Sequence, residues 1–324
     1  MLNVILEHSN IQTFKHTIIK FDYKANGKLL LSGEYFVLDG ALALAVPTKQ
    51  GQSMTVEAAA GFDHILEWES LDNEGKTWFK GTFDKNNGVY IKGTDKPTGQ
   101  RLQQIFQAAQ TLNLQFLREG ESYKVSTHLD FPKNWGLGTS STLIYNLAQW
   151  ATVDAFELLD MTFGGSGYDI ACAGAKGAIT FYKTPVPHFE EVFFDPIFKS
   201  QLYFVYLTKK QNSRDGIARY RNLVKEKGTL IQDITAITKE MQTVLRLEDF
   251  ERLIKEHEAI VSSTLNIARA KRLYFKDFWG EIKSLGAWGG DFVLATSEKS
   301  ATETRKYFND RGFDVCLKYE DLVL

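Results

Sequence analysis

The sequence predicts an α+β protein of two domains, and three observations carry that reading. The chain has 324 residues, about twice what a single hydrophobic core ordinarily serves. Strand-like and helix-like segments occur in both halves, without the regular alternation that builds a doubly wound parallel sheet. Three of the six prolines, Pro185, Pro187 and Pro196, crowd into residues 184–196. That crowding marks the domain boundary, and residues 1–185 and 186–324 are the expected domains.

The elements follow from local chemistry. Thr17–Tyr23 is rich in β-branched and aromatic residues and reads as a strand, continued at Lys28–Leu31 after an Asn26-Gly27 break. Ala41–Val46 is an apolar run closed by Pro47, and Ser53–Ala58 and Ile65–Glu69 are further strands. Asn73-Glu74-Gly75 and Asn86-Asn87-Gly88 are turns. Leu102, Ile105, Phe106, Ala109 and Leu112 recur at helical spacing, so Thr98–Leu112 is an amphipathic helix. Tyr123–Phe131 is a strand that enters a glycine-containing loop, Thr139–Leu159 a long helix and Ala178–Tyr182 a short strand. Past the prolines, Leu202–Leu207 is a buried-type strand. Helices are expected at Ser213–Lys227, Leu230–Leu245 and Asp249–Ala270, then strands at Phe292–Thr296 and Asp314–Leu317 around a helix at Lys299–Asp310.

Composition narrows the function. Lys and Arg number 38 against 40 Asp and Glu, a balance that argues against a general polyanion binder and a nucleic-acid partner. Two cysteines, Cys172 and Cys316, make neither a disulfide framework nor a four-thiolate metal site. No apolar run approaches the roughly 20 residues that span a bilayer, and the N-terminus lacks the features of a signal peptide. A cytoplasmic setting without a membrane partner is expected.

Four constellations carry chemistry. In Pro132-Lys133-Asn134-Trp135-Gly136-Leu137-Gly138-Thr139-Ser140-Ser141 a strand enters and a helix leaves. Its glycines let the backbone approach a ligand. Its hydroxyls sit at a helix start, where free N–H groups favour an anion and hydroxyl oxygens suit Mg²⁺. The alternative is an ordinary capped turn. Neither G-x-x-x-x-G-K-[ST] nor G-x-G-x-x-G occurs, which excludes the commoner nucleotide loops. Lys28 follows a glycine at a strand start, ahead of Ser32-Gly33-Glu34-Tyr35. In Gly164-Gly165-Ser166-Gly167-Tyr168-Asp169-Ile170-Ala171 a carboxylate stands among small residues, with room for a substrate hydroxyl or, alternatively, as a helix cap. Lys283-Ser284-Leu285-Gly286-Ala287-Trp288-Gly289-Gly290-Asp291 is either a tight turn or a loop approaching a ligand.

In this order and at this spread, the four constellations resemble the GHMP kinases, from about Lys24 to Thr296. The string Gly167-Tyr168-Asp169-Ile170-Ala171 looks like the signature of the GYDIA family of GHMP kinases. The resemblance implies a ribosomal-protein-like N-terminal domain with a left-handed β-α-β crossover, a ferredoxin-like C-terminal domain and an active site in the cleft. It implies ATP and Mg²⁺ as cofactors. Gly136, Leu137, Gly138, Thr139, Ser140 and Ser141 would cradle the phosphates, with Ser140 as metal ligand. Asp169 and Lys28 would be catalytic, and Gly286, Gly289 and Gly290 would close on the nucleotide. The expected reaction is phosphorylation of a small, acidic acceptor by a monomer or homodimer. Gly33-Glu34-Tyr35 and Gly289-Gly290-Asp291 lean toward the phosphomevalonate kinase branch, because mevalonate kinases carry His at the place of Tyr35 and Gly at the place of Asp291. A kinase of another small substrate and a nucleotide-binding sensor without turnover are the alternatives. Asn26 stands for the family's proline and Trp288 for a glycine. Neither Glu157 nor Asp160 has the spacing of the family's second acidic Mg²⁺ ligand. Lys133, Lys210 and Arg214 are candidates for holding an acidic acceptor, and His128 is read as structural.

Overall fold

The structure, a computed structural model, describes residues 18–60, 65–117, 121–209, 213–223, 227–288 and 290–324. The expectations on Gly289, Lys210 and residues 1–17 lie outside the described residues. The described residues fall into two compact units. The first is drawn from residues up to 25 and from 51–133 and 139–165, the second from 26–50, 134–138 and 166–324.

The first unit takes the start of β1 (Ile19–Ser32), the end of β2 (Ala43–Ala60), β3 (Ile65–Leu71), β4 (Thr77–Asp84), β5 (Tyr90–Gly93), α1 (Lys96–Leu112), β6 (Glu121–Leu129), α2 (Thr139–Ala151) and α3 (Ala155–Thr162). Its sheet runs β5-β4-β3-β6-β2, with β3 and β6 parallel and the other neighbours antiparallel. Alternation along β3 and β4 sends Leu66, Trp68, Phe79 and Phe83 inward. They meet the apolar face of α1, where Phe106 stacks edge-on to Trp68 and Phe83 at 5.7 and 5.1 Å.

The second unit adds α4 (Tyr168–Gly174), β7 (Ile179–Tyr182), β8 (His188–Glu191), β9 (Leu202–Tyr206), α5 (Ser213–Leu223), α6 (Gly228–Met241), α7 (Leu247–Leu265), α8 (Ala270–Tyr274), β10 (Ile282–Ser284), β11 (Phe292–Thr296), α9 (Ala301–Asn309), β12 (Cys316–Lys318) and α10 (Tyr319–Leu322). Its four-stranded sheet has the order β10-β11-β9-β12, all antiparallel. Val205, Phe275, Ile282, Val293, Ala295 and Phe308 form its buried core. Within the same unit β7 pairs with the start of β2 and with β8.

Several local expectations are corrected. β1 is continuous through Asn26-Gly27. β2 runs through Pro47, because Pro47 falls between the stretch paired with β7 (Ala43–Ala45) and the stretch paired with β6 (Gln52–Ala60), so its missing N–H spoils neither ladder. The long helix breaks in two: Thr152 takes φ 55°, and Asp154 caps α3 by accepting from the Phe156 and Glu157 N–H groups at 2.8 and 2.9 Å. The proline-rich stretch contains β8, an exposed edge strand. Among the described residues no helix is long and apolar enough to cross a membrane.

Candidate active site

Lys28 is fixed to the glycine loop from both ends. Its backbone N–H donates to the Leu137 carbonyl at 2.9 Å, and its Nζ donates to the Gly136 carbonyl at 2.8 Å. The close approach depends on Gly27, where a Cβ would fall 2.4 Å from Thr48 Oγ1 and 3.0 Å from the Leu137 carbonyl oxygen. The loop is anchored in turn on the four-stranded sheet of the same unit. Trp135 meets Phe292 edge-on at 5.5 Å, the Tyr206 hydroxyl donates to the Asn134 carbonyl at 3.0 Å, and Leu137 is fully buried.

Asp169 lies in the first turn of α4, after Gly167 in the left-handed region at φ 98°. Its Oδ1 accepts from the Ile170 N–H at 3.2 Å. Asn26, where the resemblance expects proline, donates from Nδ2 to the Ala175 carbonyl just past α4, at 2.8 Å. This side chain ties the strand that bears Lys28 to the helix that bears Asp169. Lys28 Nζ stands 5.8 Å from the centre of the Tyr168 ring, beside Asp169. The Cys172 thiol, one turn on, senses both charges. Burial pushes it well up, Asp169 adds to the rise and Lys28 opposes it. The Tyr168 phenol is likewise pushed well above its ordinary value by burial, then by Asp169.

The Ser32–Tyr35 motif turns away from solvent. Glu34 is buried, pairs with Lys283 on β10 and stands 3.0 Å from His257 Nε2 on α7. His257 Nε2 also accepts the Gly33 N–H at 3.1 Å. Beside His257, Glu258 accepts from the Ser284 N–H and hydroxyl at 3.0 and 3.3 Å. Burial would raise the Glu34 carboxyl, but Lys283 and then His257 outweigh it and hold it down at about 2. Burial pushes Glu258 up to about 8 and His257 down. Sequence reading missed this quartet. The signal was present: His257 and Glu258 fall on the same helical stripe as Phe250, Leu253, Ile254, Val261 and Leu265, the buried face of α7.

The remaining expected residues fall in both units. Thr139, Ser140 and Ser141 form the first turn of α2, in the first unit. Gly286 takes φ 60° with open space where a Cβ would stand, and Gly290 is buried. Trp288 packs into the apolar cluster of Tyr35, Phe36, Tyr220, Val261 and Leu265, so the indole serves as core. Lys133 lies over the Trp78 ring at 4.2 Å, the Arg214 side chain is outside the described residues, and Glu157 and Asp160 are exposed. His128 Nδ1 stands 3.6 Å from Asp130 at the surface. Among the described residues no group of three or more His, Cys, Asp or Glu is placed to hold a metal ion.

No protein-family model and no curated protein matches the chain. Solved structures do. A mevalonate kinase superposes with a TM-score of 0.66 at 16% identity, over 92% of this chain and 99% of that one. The phosphomevalonate kinase of Streptococcus pneumoniae, solved with phosphomevalonate and AMPPNP, gives 0.65 at 15% over 92% and 99%. The galactokinase of Lactococcus lactis, solved with galactose, gives 0.65 at 13% over 92% of each chain. All three belong to the superfamily that the sequence motifs resemble, and along more than nine tenths of its length this protein has the GHMP kinase fold.

Proposed function

We propose that the protein is an ATP-dependent phosphotransferase acting on a small-molecule acceptor, with phosphomevalonate or mevalonate, intermediates of isoprenoid synthesis, as the preferred acceptor. The observation that carries this reading is the attachment of Lys28 to the Gly136–Gly138 loop through two separate hydrogen bonds, with Asp169 beside the ring over which its amine stands. Phosphoryl transfer asks mainly for alignment and for neutralisation of negative charge, and a lysine held at a glycine loop supplies both. Fold similarity to kinases of mevalonate, phosphomevalonate and galactose supports the reaction class.

The roles follow residue by residue. Gly136, Leu137, Gly138, Thr139, Ser140 and Ser141 cradle the phosphates. Gly286, Gly289 and Gly290 close on the nucleotide. Lys28 neutralises the transferred group. Asp169 orients the attacking oxygen, and it takes a proton where that oxygen belongs to a hydroxyl. A phosphate acceptor has little proton to give, so there Asp169 only positions. The residues fit Mg²⁺: the Asp291 carboxylate, which lies against the Gly136 Cα, offers hard oxygens, and Ser140 is the hydroxyl ligand that the family resemblance implies. When bound, Mg²⁺ offsets charge on the transferred phosphoryl group. In this reading the domains are residues 1–185 and 186–324, and the enzyme works in the cytoplasm.

The test is ADP release by the purified chain with Mg²⁺, ATP and a panel of mevalonate, phosphomevalonate, galactose and homoserine. Turnover with phosphomevalonate or mevalonate is expected. Turnover only with a sugar or amino alcohol moves the acceptor assignment. ATP binding without turnover on any acceptor contradicts the enzyme reading.

A further inference from the structure

Asp291 is a non-glycine residue in the left-handed region, with φ 53°. Such a conformation persists only where neighbours impose it. Here two backbone bonds impose it. The Asp291 N–H donates to the Lys209 carbonyl at 2.7 Å, and the Asp291 carbonyl accepts from the Leu207 N–H at 2.7 Å. The result is a carboxylate laid on the glycine loop. A Cβ at Gly136 would fall 2.5 Å from Asp291 Cγ and Oδ2 and 2.9 Å from Oδ1, so only glycine permits the contact. The carbonyl of the same Gly136 receives the Lys28 amine. One residue of the loop thus carries an ammonium at its oxygen and a carboxylate at its Cα.

We propose that Asp291 is an oxygen ligand of the divalent cation that accompanies the nucleotide phosphates at the Gly136 loop, a role that rests on the phosphotransferase reading above. A carboxylate at contact distance from a phosphate-binding loop repels a polyphosphate. Repulsion between like charges at contact distance strengthens as the surroundings exclude water. A divalent cation between carboxylate and phosphate reverses the sign of that interaction. Mg²⁺ needs only one or two protein carboxylates, because phosphate oxygens and water complete its shell. The charge of Asp291 also reaches both neighbouring phenols. Burial and then Asp291 push Tyr206 up, and Asp291 adds to the rise at Tyr168 behind burial, Asp169, Cys172 and Glu34. Nothing in the turn itself requires a carboxylate, since asparagine adopts the left-handed region as readily.

The experiment compares wild type, Asp291→Asn and Asp291→Gly, each checked for folding by circular dichroism. AMPPNP affinity is measured by calorimetry in EDTA and across a Mg²⁺ series, and the Mn²⁺ electron paramagnetic resonance signal is recorded with AMPPNP present. The expected result is that removing the carboxylate raises metal-free affinity, cuts the Mg²⁺ enhancement about tenfold or more and changes the Mn²⁺ signal. An equal Mg²⁺ enhancement in all three proteins overturns the role of Asp291 alone. Wild type that binds no AMPPNP under any condition overturns the phosphotransferase reading, and the Asp291 role with it.

Discussion

Two polar centres in the second unit treat charge in opposite ways. The Glu34–Lys283–His257–Glu258 quartet is sealed from solvent, and each member faces another member or a backbone group. Lys28, Tyr168 and Asp169 keep part of their surface open, and the carbonyls of the glycine loop hold the lysine. Sealed charges must balance among themselves, because an unpaired buried ion costs several kcal/mol. Open charges can be left for a ligand to complete. The lesson is that strongly perturbed carboxyls such as Glu34 and Glu258 occur in the scaffold, and that the candidate site is marked by access and by a glycine loop.

The largest expected effect breaks the open centre. Asp169→Ala should lower turnover by about 10²–10⁴-fold, read as single-turnover phosphoryl transfer, with AMPPNP affinity held. An equal loss of nucleotide binding would count against its role at the acceptor. Breaking the sealed centre comes next. Lys283→Met leaves Glu34 buried without its cation and should cost about 3–5 kcal/mol of stability, measured by urea unfolding. The double variant Glu34→Gln with Lys283→Met should regain most of that loss, because it removes both charges. A double variant as unstable as the single one would mean that the pair matters through packing.

A finer distinction comes from Gly136→Ala, which forces a Cβ against the Asp291 carboxylate in a left-handed conformation. We expect a cost of about 1–3 kcal/mol, relieved in part when Asp291→Gly is added. Absence of that relief would place the strain elsewhere. The last distinction is a pH dependence of the quartet. Glu258 loses its proton near 4.5 when unfolded but near about 8 when folded, so its contribution is full below the lower value and lost as pH rises through the upper one. Glu34, held down at about 2, contributes fully above its unfolded value of 4.5, and that contribution is lost as pH falls toward 2. Glu258→Gln should flatten the alkaline decline in unfolding free energy and leave the acid limb unchanged. An alkaline limb that persists in this variant would assign it to another group.

Much of this was legible in the sequence. The glycine loop, Lys28 and the Ser-Gly-Tyr-Asp stretch stand out as candidates by residue type and spacing, because close backbone approach demands glycine wherever it occurs. The strand and helix cores were found from periodicity. What was missed has a common physical cause. Glu34, the adjacent His257 and Glu258, and Lys283 are far apart in sequence and meet only in three dimensions, and a charged residue on an apolar stripe does not announce its partner. Asn26 and Trp288 looked like departures from the family pattern. In the structure Asn26 bonds to the backbone past α4, and Trp288 fills an apolar cluster. The break after Ala151 escaped notice because Asp154 caps a helix only once Thr152 has turned the chain.

The proposed reaction depends on Lys28 and the Gly136 loop forming a nucleotide phosphate site. Calorimetric titration of wild type and Lys28→Met with Mg²⁺ and AMPPNP tests it most directly. Saturable binding by the wild type that weakens about tenfold or more in the variant, the worth of a charge-assisted hydrogen bond, is the predicted result. Equal affinity in the two proteins, or none in the wild type, would contradict it.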